Sequence, residues 1–112
     1  MARYRTAKSS VEGYVTVFEG FTRKTLVYGS NTLLTELRLA KGTSVPTHKH
    51  PEEQTGYLVS GHIILTVDGE KNEMKPGDSW VIPGNVEHSA EGIEDSVTVE
   101  VFSPVRKDYL PE

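Results

Sequence analysis

Along this chain, apolar and polar residues alternate in short runs and do not recur at helical spacing. The runs are Tyr14–Phe18, Arg23–Tyr28, Thr32–Ala40, Tyr57–Val59, His62–Val67, Ser79–Ile82 and Val97–Phe102. Many of their residues are β-branched or aromatic, which suits an extended, pleated backbone. Turn chemistry separates them, as at Glu19-Gly20, Lys41-Gly42, Ser60-Gly61, Pro76-Gly77-Asp78 and Pro83-Gly84-Asn85. Asp68-Gly69, set between two alternating segments, predicts a tight hairpin. No stretch carries a sustained, capped 3.6-residue period, so the expectation is an all-β chain. Residues 1–12 are polar, lie outside the pattern and are expected to form a flexible N-terminal segment, with 13–112 as a single folded domain.

Many short strands within about a hundred residues fit a sandwich or a closed barrel, and the pattern does not choose between them. The last run leaves a second choice open. Val97, Val99 and Val101 alternate with Thr98, Glu100 and Phe102, and simple patterning sends the valines to the core and Glu100 to solvent.

Composition narrows the possible functions. The chain has 112 residues and no cysteine, which excludes thiolate catalysis, disulfides and cysteine-based metal sites. Its net charge is −4 and it has no basic cluster, which disfavours nucleic-acid binding. No run approaches membrane-spanning length, and the N-terminus lacks the apolar core of a signal peptide, so a cytoplasmic location with no membrane partner is expected.

The candidate chemistry lies in the histidines. His48 and His50 flank Lys49, and residues two apart on an extended strand share a face. Gln54 follows four residues later, close enough for its side-chain carbonyl to reach the same centre, and His88 follows the Pro83-Gly84-Asn85 bend. Three imidazoles and an amide oxygen suit one divalent transition metal, with nickel, zinc, manganese, iron and copper all acceptable. Positions left open would favour a catalytic over a closed structural site. His62 lacks such a pattern and is expected on a strand surface or in an ordinary hydrogen bond.

Gly42, His48-x-His50, Gln54 and Gly61 stand in order at regular spacing, and Gly77, Pro83 and His88 follow. This arrangement resembles the two motifs of the cupin superfamily, over roughly Thr32 to Phe102. The resemblance implies a cupin jelly-roll β-barrel (a double-stranded β-helix) with His48, His50, Gln54 and His88 as metal ligands. Three positions depart from the family pattern. Gln54 replaces a glutamate, Gly84-Asn85 shifts the turn glycine by one, and Glu91 replaces a closing asparagine. Asparagine can still take the left-handed backbone conformation that such a turn requires.

A narrower resemblance covers His50 to Gly61 and the ending Val99 to Leu110, which carries Glu100, Phe102-Ser103-Pro104 and Arg106. These segments look like those of the small pectin-degradation cupins that linearise unsaturated uronic acids. That group also uses glutamine at the fourth metal position. It implies Glu100, Phe102 and Arg106 as catalytic or substrate-contacting residues, with Glu100 facing the cavity and the valines facing outward. Glutamate at position 100 is one methylene longer than the aspartate usual there. Tyr57 and Trp80 are candidates for the pocket or, equally, for core or interface packing; Arg23 is a weaker pocket candidate, and Arg106 could instead be a solvated tail residue. The expected function is a metal-dependent enzyme on a small acidic sugar. The alternatives are a cupin dioxygenase and a non-catalytic ligand- or metal-binding module. The apolar valine face fits a homodimer.

Overall fold

The computed structural model describes residues 4–111. Ten strands follow in chain order: β1 Val15–Phe18, β2 Phe21–Tyr28, β3 Leu33–Leu39, β4 Ser44–His48, β5 Glu53–Ser60, β6 Ile63–Val67, β7 Glu70–Met74, β8 Ser79–Ile82, β9 His88–Gly92 and β10 Ser96–Ser103. A 3-10 turn at Lys107–Tyr109 closes the chain. The strands form two antiparallel sheets, ordered β1-β2-β3-β10-β5-β8 and β4-β9-β6-β7. This is the jelly-roll barrel. No helix among the described residues is long and apolar enough to cross a membrane.

Strand alternation decides what faces the interior. Along β10, Ser96, Thr98, Glu100 and Phe102 are buried, while Val97, Val99 and Val101 are only partly so. Simple patterning is therefore overturned at this strand. Its polar residues line the barrel and its valines lie on the outer face, beside exposed Tyr57, Val59 and Val81. The interior is divided rather than uniformly apolar. One cluster joins Phe21, Leu39, Leu58 and Ile63. A second joins Leu33, Phe102 and Tyr109, and it brings the C-terminal turn against β3 and β10. Each fully buried large side chain contributes about 1.5–3 kcal/mol relative to exposure. Between the clusters lies the polar interior.

Two turns show why the chain bends where it does. Asp68 and Gly69 both have positive φ, 49° and 79°, as a two-residue hairpin between β6 and β7 requires. Asn85 has φ 63°, so asparagine takes the left-handed conformation at the place of the family's turn glycine. Gly84 is needed for a different reason: a Cβ there would collide with the Pro51 carbonyl oxygen. That close approach, with Asn85 N–H donating to His50 O at 2.7 Å, joins the loop carrying His50 to the loop before His88. Residues 4–12 form no strand or helix. Arg5 donates to Tyr28 O at 3.1 Å, and Lys24 donates to Ser10 O at 2.6 Å.

Candidate metal centre and cavity

His48 ends β4, His88 opens β9, and the two are paired in register. His50 lies two residues beyond β4, in the loop held by Asn85. One potential ligand atom from each of His48, His50 and His88 falls within 4.8 Å of the other two. Each ring is oriented the same way. The Nδ1–H groups donate to backbone carbonyls: His48 to Pro46 at 2.8 Å, His50 to Glu52 at 3.0 Å and His88 to Val86 at 2.9 Å. A carbonyl can only accept, so in the neutral rings the lone pair sits on Nε2, the form a metal binds.

The fourth residue completes the set. Glu100 Oε1 accepts from the indole N–H of Trp80 at 3.3 Å and also from the Gln54 amide nitrogen. The Gln54 carbonyl oxygen is thereby turned toward His50 Nε2, 3.0 Å away. With His50 neutral, two lone pairs face each other at that distance, which is repulsive unless a proton or a cation lies between them. Burial, followed by the Arg106 charge, holds the His50 pKa below its ordinary value and opposes the proton. Among the described residues, His88 Nε2 is buried with no hydrogen-bond partner. Its pKa is lowered to about 4, mainly by burial, against the raising effect of the Val86 carbonyl. The unsatisfied His88 Nε2, the two further imidazoles beside it and the Gln54 amide oxygen fit a divalent transition metal.

Glu100 lies behind Gln54, 3% exposed. Burial raises its pKa, and the Gln54, Thr98 and Trp80 donors oppose that rise. Thr98 donates to Oε2 at 3.1 Å. The indole reaches Glu100 because Gly56, paired in register with both Trp80 and Glu100, has no side chain; a Cβ would overlap the indole ring. Thr98 and Gly56 are supporting residues that the sequence did not single out. A glycine inside a strand was the only available hint.

The cavity is about 500 Å³, and His48, Gln54, His88, Glu100, Phe102 and Arg106 all line it. Trp80 lines it as well, whereas Tyr57 points out of the barrel and is 47% exposed. Arg106 is not a solvated tail residue. Its guanidinium carbon lies 4.1 Å from the Tyr109 ring centre and 5.1 Å from that of Phe102, and its Nε donates to both Asp108 oxygens at 3.0 and 3.2 Å. His62 is not part of the histidine cluster. Its Nε2 is buried without a hydrogen bond and lies 3.6 Å from Glu73.

These features define a small jelly-roll protein with a three-histidine cluster at the wall of its cavity, and the chain belongs to the Cupin domain family, which matches residues 35–104. Within that family it is similar to the pectin degradation protein KdgF of Dickeya dadantii, 31% identical over 94 residues that cover 82% of this chain and 86% of that protein. It is also similar to the solved structure of KdgF from Halomonas sp., with a TM-score of 0.90 and 28% identity over 96% of this chain and 100% of that one. An RmlC-like cupin from Shewanella frigidimarina shares the fold, with a TM-score of 0.88 and 24% identity over 98% of this chain and 100% of that one.

Proposed function

We propose that this cupin is a metal-dependent enzyme that opens the ring of an unsaturated uronate to an open-chain keto acid. The observation that carries the reading is the buried Glu100 carboxyl. It is hydrogen-bonded to Gln54 and opens onto the same cavity as His48 and His88 of the histidine cluster. The likeness to pectin degradation proteins supports an acidic sugar as substrate.

His48, His50, Gln54 and His88 would hold the metal, which supplies Lewis acidity toward a substrate oxygen. The protein's own groups carry the proton and orient the sugar. Glu100 takes the proton from the hemiacetal hydroxyl as the ring C–O bond breaks. It returns a proton to the alkene carbon, giving the ketone. Atoms balance, because the reaction is an isomerisation. Burial raises the Glu100 pKa above its ordinary value, which favours the step in which it gives the proton back. Phe102 walls the sugar ring on its apolar side, and Arg106 attracts the carboxylate.

The test is direct. Protein loaded with a divalent transition metal is incubated with 4,5-unsaturated galacturonate, and ring opening is followed by NMR. The expected result is acceleration over metal-containing buffer that is lost in Glu100→Gln. A wild-type rate equal to buffer ends this reading. The exposed outer residues Tyr57, Val59 and Val81 further support pairing with a second copy of the chain.

A further inference from the structure

Arg23 occupies an unusual position. On β2, Phe21, Arg23 and Thr25 share one face: Phe21 is buried in the core, and Thr25 donates to the backbone oxygen of Tyr109. Arg23 therefore projects into the barrel, in register with Leu37 of β3, which pairs in turn with Thr98 of β10. It lines the cavity that also holds His48, His88 and Glu100. Arg23 is only partly buried, so its guanidinium keeps some contact with water while it lines the cavity. Among the described residues, Arg23 has no carboxylate partner. Its one hydrogen bond is from Nη2 to the Asp108 backbone oxygen at 3.2 Å, and its guanidinium carbon lies 4.3 Å from the Tyr109 ring centre.

Arg106 differs. It also lies over Tyr109, but Asp108 neutralises it through two contacts from Nε. The C-terminal side of the cavity thus carries two guanidinium groups over one aromatic ring and one carboxylate. Of the two, Arg23 is the one that has no carboxylate partner among the described residues. Resting on the reading of this cavity as an acidic-sugar site, we infer that Arg23 is the residue that binds the substrate carboxylate and selects for acidic over neutral sugars. Arg106, already paired with Asp108, then assists. Tyr109 holds both guanidinium groups by cation–π contact, and so limits the rotamer freedom lost when the anion binds.

The experiment compares D-galacturonate with D-galactose as probes, titrated into metal-loaded protein and followed by chemical-shift changes. Wild type should bind the acid roughly 10-fold or more tightly than the neutral sugar, as a charge-assisted pair would give. Arg23→Gln should abolish that preference and leave galactose affinity unchanged, while Arg23→Lys should retain part of it. Thermal unfolding of both variants checks the fold. Absence of the preference in wild type, or its survival in Arg23→Gln, overturns the assignment. So does an equal loss for both sugars, because Arg23 would then only anchor the C-terminal segment. Turnover of unsaturated galacturonate in the same proteins separates the two readings. An acid preference that depends on Arg23, without wild-type turnover, removes the ring-opening reaction but keeps the carboxylate site. Turnover with an unchanged KM in Arg23→Gln removes the carboxylate site alone.

Discussion

Gln54 connects the two halves of the site through one amide. Its nitrogen donates to Glu100 and its oxygen faces His50. A glutamate there would have no donor to offer, and would set two buried carboxylates against each other. The residue that departs most from the cupin motif is thus the one that matches Glu100. The imidazoles give a prediction at the same scale. His88 titrates at about 4 in the folded chain, against 6.5 for the free side chain. Between those values the unfolded state binds more protons. Metal-free protein should therefore be fully stabilised by this residue above pH 6.5, and should lose that stability as pH falls toward 4, by roughly 3 kcal/mol. Denaturant unfolding of metal-free wild type and His88→Gln across that range checks it, and the variant should show the shallower slope.

At the scale of elements, the row Trp80, Gly56 and Glu100 crosses β8, β5 and β10. Trp80→Phe keeps most of the packing and removes the N–H donor. Since that donor lowers the Glu100 pKa, its loss should shift the acidic limb of the activity–pH profile upward with little change in melting temperature. Gly56→Ala should shift the profile in the same direction and also destabilise the fold by about 1–3 kcal/mol, because the indole must move. A profile identical to wild type in Trp80→Phe would remove the indole from the catalytic network. The same scale explains which strands the hydrophobic pattern missed. β7, Glu70–Met74, is almost wholly polar and sits at a sheet edge, where β6 supplies its pairing. β4 and β9 present the histidine cluster and the cavity wall on one side, so their inner faces carry His48 and His88 where other strands carry aliphatic residues. The start of β5 was unreadable for a related reason, since Gln54 and Gly56 are its buried residues there.

For the whole molecule, the six-stranded sheet leaves an outer face bearing Tyr57 at 47%, Val59 at 49% and Val81 at 58% exposure, next to the partly buried valines of β10. A second copy packed on that face would remove this apolar area from water. Light scattering should give twice the chain mass for wild type, and Tyr57→Lys combined with Val81→Lys should give a monomer with its fold intact. A monomeric wild type would leave that face without a partner copy.

The sequence by itself determined the all-β class, the hairpin at Asp68-Gly69, and the set His48, His50, Gln54 and His88 as residues to be brought together. Turn chemistry and motif spacing are local, and they survive without knowledge of the fold. For β10 the alternation alone left two faces open; the motif resemblance put Glu100 inward, and the tertiary structure buries that face. Only the tertiary structure decided that Gly56 clears a path for Trp80, and that Asp108 pairs with Arg106 while Arg23 has no carboxylate partner among the described residues. Those relations join residues far apart in the chain, and they exist only once two sheets and the C-terminal turn enclose the same space.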